Sequence, residues 1–359
     1  MTAGDVRIQR KFREAIEYSL QPPEGSNFLI INRNADELAG LAENAASDLG
    51  LKARMFNLSR QGPYESFPSG LKKEIASGKY PRAMGFFSYP ENDINNVGQR
   101  ETPARVELVH EIIKKTPIGY MHAPGIDHDM ALNGAVQCNY KEMIEKSEKM
   151  LRILKGAKSL HVNAPAGTAL DIEIPPEVVF ETDCIVTPPD AYGNPGVMHN
   201  LPIGEVCALR RKKFSIAGRE VEYPVKLIGD GTIVCDVCAD HIEKLVEPDK
   251  PIKITLRDGI VTYFHSDDEA FKPVFDEWMK RELEYSLPTI LEEVGIGIND
   301  KARRSKKLLE TEKLGGTIHF APGHVKSHAD FIVDKPTVTL TYGKNRRRTL
   351  MKDGVLKLD

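Results

Sequence analysis

A change of rhythm near residue 157 limits the possible folds of this chain more than any other feature. Before it, short apolar runs alternate with stretches whose apolar residues recur every three or four positions. Phe28-Leu29-Ile30-Ile31, Ala53-Arg54-Met55-Phe56, Ala83-Met84-Gly85-Phe86-Phe87 and Pro117-Ile118-Gly119-Tyr120-Met121 read as strands. Ile8, Phe12, Ala15 and Ile16 mark one helix face, Leu38, Leu41, Ala45 and Leu49 a second, and Val106, Val109 and Ile113 a third. Asn34, with Glu37 three residues on, reads as a capping box, and Thr102-Pro103 as an N-cap followed by a first-turn proline. Lys141 to Leu154 forms one more amphipathic helix, which Gly156 closes. Strands and helices alternating at this pace demand crossover connections, hence an open, mostly parallel α/β sheet. No Gly-x-Gly-x-x-Gly follows the first strand, so the Rossmann-like pattern comes without a dinucleotide fingerprint.

Beyond residue 157 the period drops to two. Residues 159–163, 169–174, 232–235, 252–256 and 259–263 read as short alternating strands between Gly and Pro turns. A helix from about Asp267 to Tyr285 interrupts them, and residues 337–342 and 354–358 read as a final strand pair. The expectation is therefore two domains: a Rossmann-like α/β domain over 1–157, and an α+β domain with a twisted, mostly antiparallel sheet over 158–359.

With 359 residues, 41% of them hydrophobic and 28% charged, the chain is long enough for two such cores. A net charge of -3 gives no electrostatic reason to expect nucleic acid or a membrane surface as partner. Lys344 to Arg348 is basic, but without an aromatic row it reads as a solvated hairpin turn. Five cysteines, an odd number in a large chain, fit free thiols in a reducing compartment, and Cys235 and Cys238 read as buried thiols. The N-terminal stretch lacks an apolar signal region and no run approaches about 20 apolar residues, so a cytoplasmic location is expected.

The chemistry concentrates between Leu309 and Val333, which holds Glu312, His319, His324 and His328-Ala329-Asp330. His328 and Asp330 precede the apolar run Phe331-Ile332-Val333; on one strand, residues two apart share a face. Taken singly, each candidate has a plain explanation. Glu205 suits a surface acid at a strand start, and Glu293 a glycine-rich turn, Glu293-Val294-Gly295-Ile296-Gly297. Glu310 and Glu312 suit a helix face balanced by Lys306, Lys307 and Lys313. His319 suits a satisfied core position, and His122, Asp127, His128 and Asp129 a solvated loop. Gathered together, four carboxylates and two neutral imidazoles would need counter-charge to stay ionised. Two divalent cations about 3.5–4 Å apart would supply it and form a hydrolytic centre.

Five motifs occur in an order that resembles the aminopeptidase T-type metallopeptidases, a leucyl aminopeptidase-like family of thermophilic origin. They are Pro165-Ala166-Gly167-Thr168, Asn200-x-Pro-x-Gly-Glu-Val206, Glu293-Val-Gly-Ile-Gly-Ile-Asn299 with Lys301-Ala-Arg303, Glu312-Lys-x-x-Gly-Thr-Ile-His319, and His328-x-Asp330. The resemblance implies a pair of divalent ions held by Glu205, Glu293, Glu312, His319, His328 and Asp330; oxygen-rich ligands with imidazole suit Zn, Co or Mn. It also implies an aminopeptidase acting on peptides through metal-activated water, and a homodimer. His324 is a candidate acid for the leaving amine. A ring-cleaving iron dioxygenase of the same fold shares the His328-x-Asp330 pattern, but calls for a histidine where Glu293 stands. A binding protein that keeps the fold without turnover is the alternative from another class.

Overall fold

The computed structural model describes residues 1–58, 69–88, 116–185, 197–216, 219–239, 244–325, 327–343 and 346–359. The helix expected after Thr102-Pro103 lies outside these residues. Two compact units emerge, one of Met1–Glu145, Asp183–Gly204 and Asn299–Arg303, the other of Lys146–Thr182, Glu205–Ile298 and Arg304–Asp359.

The first unit is built on a parallel sheet of five strands: β1 (Asn27–Arg33), β2 (Lys52–Asn57), β3 (Arg82–Phe87), β4 (Gly119–Pro124) and β8 (Val197–Asn200), in the order β2-β1-β3-β4-β8. Phe28, Leu29, Ile30 and Ile31 of β1 are fully buried, as in a parallel strand covered on both faces. β8 comes from well beyond residue 157, yet it pairs with β4 in register Gly119 to Val197.

The first helix spans Ala3–Glu14 and continues as a π-helical turn over Ala15–Leu20, burying Ile8, Phe12, Ala15 and Ile16. Thr2 and Asp5 form its capping box. The capping box expected at Asn34 does not form. Asn34 sits in the left-handed region at φ 58°, the helix Asp36–Asp48 has no side-chain cap at Ala35, and the Asn32 side chain takes the Ala35 N–H instead.

The second unit carries a 14-stranded sheet in which every described pairing is antiparallel. Its strands are β5 (Ser159–Asn163), β6 (Ala169–Glu173), β7 (Phe180–Thr182), β9 (Glu205–Leu209), β12 (Ile228–Cys235), β13 (Ile252–Arg257), β14 (Ile260–His265), β15 (Ile290–Gly297), β16 (Thr317–His324), β17 (Ser327–His328), β18 (Phe331–Asp334), β19 (Thr337–Tyr342), β20 (Arg346–Lys352) and β21 (Val355–Leu356). A separate hairpin pairs β10 (Arg211–Ile216) with β11 (Arg219–Pro224). The mixed fold is thus the expected one, a parallel α/β sheet and a mostly antiparallel α+β sheet. Among the described residues no helix is long and apolar enough to cross a membrane. None of the five cysteines is in a disulfide, and Cys235 and Cys238 are fully buried.

Three local expectations are corrected. The glycine-rich stretch around Glu293 is the buried strand β15, because it is paired on both sides, to β9 and β16. His328 and Asp330 do not share one strand; His328 ends β17 and Asp330 immediately precedes β18, and both strands pair with β16. Arg346 to Arg348 belong to β20 rather than to a turn, since Tyr342, Thr341 and Leu340 pair with them; Lys344 and Asn345 lie outside the described residues.

Candidate metal centre

β15 is buried along its whole length, yet it carries two adjacent glutamates, Glu292 and Glu293. In a regular strand, neighbours point to opposite faces. Here the register against β16 slips between Leu291 and Glu293, a bulge that turns both carboxylates toward one histidine. His328 Nδ1 lies 3.4 Å from Glu292 and its Nε2 lies 3.4 Å from Glu293. Two glycines make room. A Cβ on Gly295 would sit 2.1 Å from His319 Nε2, and one on Gly323 would sit 2.0 Å from the Glu292 carboxylate.

The structure brings all six sequence candidates to this one region of the second unit. His319, on β16 and 1% exposed, directs Nε2 toward three carboxylates: Glu293 at 3.7 Å, Glu205 at 3.9 Å and Asp330 at 4.0 Å. Glu205 opens β9, opposite Gly297 of β15. Glu312 follows the short helix Leu308–Thr311. Fully buried Lys313 joins them, donating to Glu205 at 2.7 Å with Glu312 at 2.8 Å. His324 stands apart: its Nε2 donates to the Leu287 carbonyl at 2.8 Å, and burial lowers its pKa. The hydrogen bond anchors its ring to the backbone.

Four side chains that sequence reasoning passed over complete the arrangement. Glu292 is clamped by Arg211, whose Nε and Nη2 approach its two oxygens at 2.5 and 2.6 Å. Lys313, expected on a solvated helix face, is an internal cation. Cys207 falls on β9 two residues after Glu205, so the Glu205-x-Cys207 spacing could have flagged it once this segment was known as a strand.

Ionisation follows from this packing. Burial raises the Glu312 pKa to about 8, with the Glu205 and Asp330 charges adding to the effect and Lys313 opposing it. For His319, burial opposes protonation, but the surrounding Glu293, Asp330 and Glu205 overcome it and lift the pKa to about 9. His328 goes up for the same reason, beside Glu292, Asp330 and Glu293. Burial likewise disfavours the Glu293 charge, yet His319 and His328 hold its pKa down to about 2. Without metal, then, the packing favours the protonated forms of Glu312 and the two imidazoles.

Side chains of the same cluster could hold divalent cations. The contacts of His319 Nε2 and His328 Nε2 with Glu205, Glu293 and Asp330, 3.4–4.0 Å, are longer than an ordinary hydrogen bond. They approach the separation of roughly 3.3–3.6 Å between ligands sharing a tetrahedral ion at 2.0–2.2 Å. His319 Nδ1 is buried without a hydrogen-bond partner. Ligand atoms of Glu293, His328 and Asp330 lie within 4.8 Å of one another, and so do those of Glu205, Cys207 and Glu293. Glu293 belongs to both groups, the position of a carboxylate able to face two ions. A third group, Asp5, Glu37 and His128, lies in the first unit on partly or fully exposed side chains.

No protein-family model matches the sequence, and neither does any curated protein. Solved structures do share its fold. The 2,5-dihydroxypyridine dioxygenase from Pseudomonas putida KT2440 superposes with a TM-score of 0.62 at 13% identity, covering 98% of this chain and 97% of that one. Wild-type AmpT from Thermus thermophilus superposes with a TM-score of 0.67 at 14% identity, over 99% of this chain and 100% of its own. At such identity the likeness is one of architecture alone, and this chain shares that architecture with both structures.

Proposed function

We propose that this chain is a metal-dependent aminopeptidase whose centre takes two divalent ions, Zn, Co or Mn, between Glu205, Glu293, Glu312, His319, His328 and Asp330. The observation that carries the reading is Glu293, shared by two groups of closely spaced ligand atoms inside one buried cluster. When bound, the ions would supply the Lewis acidity that readies water for attack and steadies charge on a scissile carbonyl. The chain's own part is preorganisation. The bulge in β15 fixes Glu293 against His328, Gly295 admits the His319 ring, and Lys313 holds Glu205 and Glu312 together. Metal and oxygen-rich ligands with imidazole suit one another here.

The dioxygenase neighbour keeps a second reading in view, because His319, His328 and Asp330 amount to two imidazoles and a carboxylate. Three further carboxylates, Glu205, Glu293 and Glu312, exceed what one iron of that type uses and favour the hydrolytic reading. Metal analysis of purified protein, together with release of a fluorophore from amino-acid amides, tests it. About two equivalents of Zn, Co or Mn and chelator-sensitive release are expected; one equivalent of iron and no release would overturn it.

A further inference from the structure

Cys207 is the one cysteine whose sulfur joins a group of potential ligand atoms among the described residues. Sheet geometry places it there. On β9, Glu205 and Cys207 share a face, and they pair with Gly297 and Gly295 of β15. Gly295 pairs in turn with His319 of β16. Directly opposed residues in adjacent antiparallel strands share a face, so Cys207, Gly295 and His319 form one row across three strands. The middle member has no side chain, and the His319 ring occupies the space a Cβ would take. The imidazole therefore reaches over Gly295 on the face that carries the thiol, and the sulfur lies within 4.8 Å of ligand oxygens of Glu205 and Glu293. The His319 contacts to these carboxylates, 3.7 and 3.9 Å, are longer than an ordinary hydrogen bond.

We propose that Cys207 is itself a metal ligand, so that the ion between Glu205 and Glu293 is bound through a thiolate and is a thiophilic one, Zn2+ or Co2+ rather than Mn2+ or Mg2+. The proposal rests on the metal-centre reading above and sharpens it. As the metal–sulfur bond forms, the S–H bond breaks and its proton passes to solvent; no electron is exchanged. The bland role, a thiol donating to Glu293, predicts no metal–sulfur bond. The remaining cysteines offer no substitute: Cys235 Sγ already donates to the Cys238 carbonyl at 3.2 Å, and neither these two nor Cys138 and Cys184 belong to any such group among the described residues.

Anaerobic titration of the metal-free, full-length protein with Co2+ decides the matter. The expected result is a sulfur-to-cobalt charge-transfer band in the near ultraviolet, growing with the visible ligand-field bands and erased by Zn2+. Cys207→Ser should keep the visible bands and lose the near-ultraviolet one. X-ray absorption at the cobalt edge of the wild-type protein gives the same answer without a variant, as one sulfur scatterer. Cobalt bound with visible bands but no sulfur signature, or a sulfur signature that survives in Cys207→Ser, overturns the thiolate and leaves the metal centre standing. Failure of the wild-type protein to retain Co2+ overturns both.

Discussion

β1 of the first unit and β15 of the second are both enclosed strands, β1 along its middle and β15 along its whole length, but they bury different things. β1 hides Phe28, Leu29, Ile30 and Ile31. β15 hides Glu292 and Glu293 beside Leu291 and Val294. Their histidines differ in the same way. His122 of β4 is buried and meets the Tyr120 hydroxyl at 2.9 Å, an ordinary satisfied pair. His319 is as buried, but its Nε2 faces three carboxylates across 3.7–4.0 Å and its Nδ1 has no partner. Burying charge costs several kcal/mol per ion unless it is compensated. The first arrangement serves folding; the second carries a cost that the proposed ions would offset.

Substitutions in the two strands should therefore separate stability from metal binding. Glu293→Gln should abolish retention of both ions and measurable turnover, read by metal analysis and peptide-amide hydrolysis, while the melting curve of the metal-free protein keeps its cooperativity. Phe28→Ala should do the reverse, costing about 3–5 kcal/mol by denaturant unfolding with metal stoichiometry unchanged. If Phe28→Ala also emptied the centre, the contrast between the strands would be false. Glycine replacements sharpen it next. Gly295→Ala forces a Cβ to 2.1 Å from His319 Nε2, so it should cost roughly 1–3 kcal/mol and displace a ligand ring. Gly40→Ala, inside the helix Asp36–Asp48 with nothing within 4 Å, should stabilise by about 0.5–1 kcal/mol.

The pH dependence of the metal-free protein belongs to the second unit's charges. Glu312 rises from 4.5 to about 8 and His319 from 6.5 to about 9. A raised folded-state pKa stabilises fully below the unfolded value and is lost as pH climbs through the folded one. These two groups should therefore make the metal-free protein less stable at pH 9 than at pH 6. Glu293, lowered to about 2, contributes above pH 4.5 and is lost on the acid side. Zn2+ should release these protons as it binds and stabilise more as pH rises, giving the opposite trend. Thermal melts across this window with and without chelator test the sign; parallel curves would mean the cations do not displace protons there.

Much of this architecture is legible in sequence because periodicity reports which face is buried. The strands over 159–163 and 337–342 show clean alternation and fall where it places them. β15 is not legible in that way: it is buried on both faces, contains Gly-x-Gly and carries a bulge, so its acids look like those of a turn. For the centre, residue types such as His328-x-Asp330 stand out, but convergence depends on sheet order. Lys313 shows the limit, since charge patterning places it outside while the fold encloses it between Glu205 and Glu312. Arg211 comes from a hairpin that the alternating pattern did not reveal, and nothing local links it to Glu292.

That last pair supports the smallest predicted effect. Arg211 grips both oxygens of Glu292, which leaves the carboxylate fixed 3.4 Å from His328 Nδ1 while Nε2 faces Glu293. A histidine that ligates a metal commonly gives its other ring N–H to such an oxygen, which sets tautomer and orientation. The charges of His328 and Arg211 keep Glu292 ionised against the cost of burial. Glu292→Gln preserves shape but removes the charge, so Zn2+ affinity measured against a competing chelator should fall roughly 10–100-fold. Because that variant leaves Arg211 facing a neutral amide, the double variant Arg211→Gln with Glu292→Gln is the cleaner probe of stability. It should melt closer to the parent than the single variant, yet bind Zn2+ no better. Recovery of affinity in the double variant would show that the single change acts through the stranded guanidinium, not through the orientation of His328.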